Sequence, residues 1–140
     1  MVYQEVIEIS TDTHGCMTDI TDRVNSVISA SDIEVGTAHV FNLGSTGIIT
    51  TIEYEPGLEK DFPRMLDQLI PASRNYGHEN AWRDGNAHSH LQASLTGPAL
   101  TVPVSKGAAL LGTWQQIVHV EGDIKPRRRS VVVTIHGESC

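Results

Sequence analysis

Apolar residues change their spacing several times along the chain, and each change marks an element. Residues 2–10 alternate, with Tyr3, Ile7 and Ile9 on one parity and Val6 on the other, which predicts a first strand. From Thr18 the spacing lengthens. Ile20, Val24, Val27 and Ile28 fall on one stripe of an amphipathic helix, with Asp19, Asp22 and Arg23 turned outward. Thr18 or Thr21 suits the cap, the aspartates suit the positive end of the helix dipole, and Ser29, Ser31 and Asp32 end the helix. Residues 34–42 return to alternation, Gly44-Ser45-Thr46-Gly47 is a turn, and the β-branched run Ile48–Tyr54 is the partner strand of a hairpin.

Pro56-Gly57 interrupts the sheet. Leu58, Phe62, Met65, Leu66 and Leu69 make a second helical stripe, read as a turn at 57–60 and then a helix with Pro63 in its first turn. A polar loop over 72–85 precedes a short helix over 88–96, stopped by Gly97-Pro98. Leu100, Val102 and Val104 alternate in a strand that Pro103 pushes to an edge or a bulge. A strand over 113–121 sets Trp114 on the core face with Val118 and Val120, and a last strand carries Val131, Val133 and Ile135 on one face. The sum is a single α+β domain over 1–140. It is an antiparallel β-sandwich or open barrel with two main helices on one side plus a short third helix.

The totals narrow the function classes. A chain of 140 residues with 39% hydrophobic content can build its own core, and a formal charge of −7 argues against a nucleic-acid binder. Cys16 and Cys140 are the only cysteines and neither belongs to a Cys-x-x-Cys motif, so free thiols are expected. There is no signal-like start and no apolar run of membrane-spanning length, which points to a cytoplasmic protein with no membrane partner.

The candidate chemistry is concentrated between Asn75 and Glu121. His78, His88 and His90 fall close together beside Glu79, Asp84 and Asn86. Imidazole and carboxylate suit a borderline divalent metal, and a nitrogen-rich set without thiolate favours zinc. That reading needs His88 and His90 on extended backbone, with His88 ahead of the helix, because on a helix they diverge by about 200°. Glu53 and Asp84 are the candidate general bases, and Asn86 and Gln115 can position ligand groups. Ser45 and Thr46, between two glycines, offer hydroxyls and N–H groups to an anion. Arg127 and Arg129 point one way from the last strand and Arg128 the other, as phosphate ligands or as a surface run paired with acids. A hydrophilic loop with ordinary hydrogen bonds is the plain alternative for the histidines. His39, His119 and His136, placed in strands, are read as packed or solvated.

Three segments carry a resemblance: Gly85-Asn86-Ala87-His88-Ser89-His90-Leu91, Leu95-Thr96-Gly97-Pro98-Ala99-Leu100-Thr101-Val102-Pro103, and Leu111-Gly112-Thr113-Trp114-Gln115-Gln116-Ile117. With the arginine-rich entry to the last strand, they resemble the YjbQ family, some of whose members are described as secondary thiamine-phosphate synthases. The resemblance implies a compact antiparallel α+β domain, a homotrimer with a polar site near its subunit interfaces, and weight on His90, His88 and Glu53. Many relatives carry His-Thr-Thr where this chain has Gly44-Ser45-Thr46. The expectation is a small-metabolite enzyme acting on a phosphate-bearing substrate, with thiamine-phosphate formation as a secondary activity. The alternative is a non-catalytic trimeric metal- or anion-binding or regulatory protein.

Overall fold

The computed structural model describes residues 1–140. Alternation along the chain produces two antiparallel sheets. The larger contains β1 (Val2–Ser10), β8 (Arg128–Glu138), β3 (Val35–Leu43), β5 (Ala99–Ser105) and β6 (Ala108–Ala109), in that spatial order. The smaller contains β2 (Met17–Asp19), β7 (Gln116–Glu121) and β4 (Gly47–Ile52). The large sheet curls into a half-barrel in which β8 is paired along both edges: Val133 faces Glu5 on one side and Val40 on the other. Pro103 lies opposite Thr37 on the β5 side, close to the two-residue edge strand β6, where its missing N–H costs no central ladder bond.

Helix α1 (Thr21–Ser31) packs between the sheets. Its Ile20–Ile28 stripe joins Ile7, Val40, Val131, Val133 and Ile135 of the large sheet and Ile49 and Ile117 of the small one in one core. The opposite face of the small sheet, through Ile48, Val118 and Val120, packs on Leu66 of α2 (Pro56–Leu69) and Ala93 of α4 (Ala87–Thr96). Both faces of β7 are therefore covered, and every residue from Ile117 to Glu121 is buried. A polar side chain on that strand has to find its partners inside the protein.

Four local expectations are corrected. A short strand, β2, precedes α1, and the α1 start is tied by Asp19, whose Oδ1 accepts from the Thr21 N–H at 3.0 Å and hydroxyl at 2.7 Å. Helix α2 begins at Pro56 because Glu55 caps it, accepting from the N–H groups of Gly57 and Leu58; Pro63 therefore sits in the helix interior. The polar loop contains a further helix, α3 (Gly77–Trp82). Trp114 is 73% exposed in the turn before β7, where Gln115 Oε1 accepts from Gly112 N–H at 3.0 Å. Cys16 and Cys140 are unpaired, and no helix is long and apolar enough to cross a membrane.

At one crossing the sheet demands glycine. Gly36 of β3 faces Gly137 of β8, and a Cβ on Gly137 would strike the Val35 carbonyl oxygen and approach Gly36 Cα to 2.7 Å. Neither neighbour is a flexible side chain. Gly137→Ala is expected to destabilise the protein by about 3 kcal/mol or more in urea unfolding. Gly77→Ala, whose Cβ would meet nothing within 4 Å, should change stability by less than about 1 kcal/mol.

Candidate functional site

The turn between β3 and β4, the start of α4 and the β7–β8 connection converge on one polar cleft. Its volume is about 320 Å³, and no hydrophobic side chain lines it. Seven of the residues expected from the sequence meet there: Ser45, Thr46, Asp84, Asn86, His90, Arg127 and Arg129. Gly44 and Asp123 complete the walls.

The floor is a buried ionic network. Glu121, fully buried at the end of β7, accepts from Arg129 Nε on Oε1 at 2.8 Å and from Arg129 Nη2 on Oε2. Its Oε1 also accepts from the Thr11 hydroxyl at 2.6 Å, and its Oε2 from the Asp123 N–H at 2.9 Å. Burial alone would raise the Glu121 carboxyl, but the Arg129 and Thr11 hydrogen bonds outweigh it and hold it below the usual carboxylate range. Asp123 is built likewise. Its Oδ2 accepts from Arg127 Nε at 3.0 Å and Nη2 at 2.8 Å, and its Oδ1 from the Ile124 N–H at 2.7 Å. Burial works against the charge, yet the Ile124 N–H and Arg127 leave this carboxyl lowered as well.

Each guanidinium is thus gripped along one edge and left open along the other. Nη1 of Arg127 and Nη1 of Arg129 donate to nothing in the chain, while Arg129 Nη2 also reaches the Thr46 hydroxyl at 2.7 Å. The backbone N–H groups of Gly44, Ser45 and Thr46 likewise have no acceptor among the turn and side-chain hydrogen bonds. Gly44 holds φ at +134°, and a Cβ there would come within 2.8 Å of Arg129 Nη1. Arg128, as its parity predicts, faces away and approaches Glu8 at 3.7 Å.

The opposite wall carries imidazole. Asn86 Nδ2 donates to Asp123 Oδ1 at 3.4 Å, which turns Asn86 Oδ1 toward His78 Nε2 at 3.0 Å. Asp84 Oδ1 lies 3.4 Å from the same nitrogen, so His78 Nε2 faces two acceptors and carries the hydrogen. The His90 ring stands 4.7 Å from that of His78 and makes no hydrogen bond within the chain. Glu79, buried behind them, collects the N–H groups of Gly85 at 2.9 Å and Ala87 at 3.1 Å, and Arg74 at 3.1 Å. It holds the loop shut onto the first residue of α4.

The histidine set expected to share a metal is not assembled. His88 is the second residue of α4 rather than a residue ahead of it, so its ring points away from that of His90 and packs at 5.1 Å on His14. No three His, Cys, Asp or Glu side chains form a ready metal cage. Glu53 and Gln115 also fall outside the cleft. Glu53 follows β4 at the end opposite the Gly47 turn, and Gln115 Nε2 donates to the Thr51 hydroxyl at 3.2 Å. Sequence reasoning gives no role to Glu79 or Glu121, though both lie in the candidate stretch, and does not point to Asp123. The available signal was Glu121 itself, an acid directly after the strand segment Ile117-Val118-His119-Val120 and two residues before Asp123, with Arg127 and Arg129 downstream.

A curled antiparallel sheet with helices on its inner side and a polar cleft at the β3–β4 turn defines a compact α+β protein with a built polar site. The chain belongs to the UPF0047 protein YjbQ-like family, whose model matches residues 5–138. It is 39% identical over 137 residues to a UPF0047 protein of Methanothermobacter thermautotrophicus, covering 98% of this chain and 94% of that protein. A YbjQ-like protein of unknown function from Sulfolobus solfataricus has a crystal structure that superposes with a TM-score of 0.91 at 35% identity, covering 99% of both chains. The crystal structure of a hypothetical protein from Aeropyrum pernix gives 0.87 at 29% identity, covering 96% of this chain and 98% of that one.

Beneath the cleft, His119 is fully buried, with Nε2 on Asn42 Oδ1 at 3.0 Å and Nδ1 without a partner. Burial pushes it down from 6.5 to about 4. The unfolded chain takes up the proton near 6.5 and the folded chain only near 4, so His119 favours folding fully above 6.5 and less as pH falls to 4. Stability is expected to drop by on the order of 3 kcal/mol across that window. Urea unfolding at several pH values checks this, and His119→Gln should flatten the slope.

Proposed function

We propose that the cleft binds the phosphate group of a small metabolite and that His90 acts there as general acid or base. The observation that carries this reading is the set of unsatisfied donors on one surface: Nη1 of Arg127, Nη1 of Arg129 and the N–H groups of Gly44, Ser45 and Thr46. Asp123 and Glu121 cancel the two arginine charges locally. Selectivity for an oxyanion therefore rests on oriented hydrogen bonds rather than on net positive charge. The absence of apolar lining suits a phosphorylated, hydroxyl-rich ligand better than a hydrophobic one.

His90 lines the same cleft with both ring nitrogens free, within reach of a group attached to the bound phosphate. His78 stands next to it, its hydrogen directed by Asp84 and Asn86, and can relay or accept a proton. Thiamine-phosphate formation, which joins a pyrimidine pyrophosphate to a thiazole phosphate, is one reaction that fits two phosphate-bearing substrates. We place the active form in a homotrimer, which would cover Trp82 and Trp114, 74% and 73% exposed on the single chain.

Calorimetric titration with inorganic phosphate and pyrophosphate, and turnover assays with phosphorylated metabolites that include the thiamine-phosphate pair, test the reading. Arg127→Ala should weaken oxyanion binding roughly tenfold or more. His90→Ala should leave that binding intact while removing turnover by roughly 100-fold or more. Saturable binding with no product from any substrate would favour a non-catalytic anion-binding protein. No binding at all would overturn the proposal.

A further inference from the structure

The space between α4 and the β3–β4 turn does not end at the phosphate cleft. Building on the phosphate site proposed above, we propose that a second compartment, lined by Ser45 and Ser94, takes the uncharged end of the ligand. The bound metabolite is then a phosphomonoester of a short, hydroxylated carbon chain.

The compartment is a hollow of about 110 Å³, lined by Gly44, Ser45, Gly47, Ala93, Ser94 and Pro98. Gly44 and Ser45 also line the main cleft, so the two hollows meet at the turn. Helix α4 supplies the facing wall of both. Asn86, His90 and Ser94 succeed one another at intervals of four residues, from the residue before the helix onward. Residues so spaced stand on one helix face, with Cβ atoms about 5–6 Å apart. Asn86 and His90 line the main cleft and Ser94 the compartment beyond it. A ligand lying along this face runs from the two arginines, past His90, to Ser94.

The backbone at the join is arranged to let such a ligand through. The Gly44 carbonyl oxygen accepts from Nδ2 of the fully buried Asn42 at 3.2 Å. The peptide bond that follows is trans, so the Ser45 N–H points the opposite way, out of the core. An ester oxygen or hydroxyl crossing the turn meets a donor there and no carbonyl, and Gly44 has no side chain to close the passage. Asn42 also ties down the far wall, its own N–H donating to the Pro98 carbonyl at 2.9 Å. Ala93, 4% exposed, is packed into the core beneath. The compartment is therefore preformed, which lowers the cost of filling it.

The lining sets the ligand class. Asp84, Asp123, Arg127 and Arg129 face the main cleft, whereas no ionisable side chain lines the compartment. A second phosphate or a carboxylate would find no cationic wall there. A hydroxyl finds Ser45 and Ser94, and carbon finds Ala93 and Pro98. All six lining residues are small, and the hollow has about a third of the volume of the 320 Å³ cleft. That suits a few carbon atoms better than an aromatic ring.

Inorganic phosphate, glycerol 3-phosphate and phenyl phosphate, each titrated into the full-length protein by calorimetry and backbone NMR, provide the test. All three should shift the amides of the Gly44–Thr46 turn. Glycerol 3-phosphate alone should also shift those of Ala93 and Ser94, and it should bind at least about fivefold more tightly than inorganic phosphate. Ser94→Leu, at an exposed position, should lower that affinity ratio by at least about fivefold, because the larger side chain occupies the compartment. Three results would overturn the proposal and leave the phosphate cleft standing. They are glycerol 3-phosphate shifts no wider than those of inorganic phosphate, a ratio that Ser94→Leu does not change, or a preference for phenyl phosphate over glycerol 3-phosphate. Binding of none of the three ligands overturns both proposals together.

Discussion

Glu121 and Arg129 meet where β7 leads into β8, and the floor of the cleft hangs on that ion pair. Glu121 is fully buried and Arg129 nearly so, so each charge has lost its water and depends on the other. The pair is tolerable because its remaining valences are filled: Thr11 and the Asp123 backbone on the carboxylate, Thr46 on the guanidinium. Removing either partner leaves a buried charge uncompensated, which typically costs about 3–5 kcal/mol. The same bonds tie the first strand's end, the β3–β4 turn and the last strand's start to one point. Stability and site geometry are therefore the same set of contacts.

From that floor the rest of the site follows. Asp123 extends the network to Arg127 and Asn86, and Asn86 fixes the orientation of His78 on the opposite wall. Gly122, between the two acids, admits no side chain, since a Cβ would lie 2.5 Å from the Thr46 carbonyl oxygen. The turn at Gly44–Thr46 is thereby pressed against the β7–β8 connection, and its N–H groups have no acceptor within the chain. Helix α4 divides the imidazoles. His90 serves the cleft, and His88 goes to His14 and α2 behind it.

Much of the fold was legible because alternation reports a half-buried strand directly. The Val131, Val133 and Ile135 face and the Ile20–Ile28 stripe hold in the structure, whereas Pro103 lies in β5, one strand in from the edge strand β6. The failures have physical causes. A helix of six residues, α3, has too few turns to show a periodic stripe, and it begins without a side-chain cap. Pro63 looked like a helix start only because the Glu55 cap was not recognised, glutamate being outside the usual capping set. Trp114 was assigned to the core on hydrophobicity alone, though it belongs to a turn. In the site, the Arg127 and Arg129 parity, the Ser45-Thr46 turn and Asn86 were found, because side-chain type and local spacing carried them. Glu53 and Gln115 were misplaced and Asp123 was missed, since nothing local says which strand end faces which loop. The H-x-H spacing misled for a sharper reason: its meaning reverses between strand and helix, and the helix starts one residue before His88.

In the function we propose, the Gly44–Thr46 turn and the two arginines form one oxyanion-binding surface. The most direct measurement is a backbone and arginine side-chain NMR titration of isotopically labelled protein with inorganic phosphate. Saturable shifts are expected, concentrated at the amides of Gly44, Ser45 and Thr46 and at the guanidinium groups of Arg127 and Arg129. Shifts centred elsewhere, or none under saturating phosphate, would contradict it.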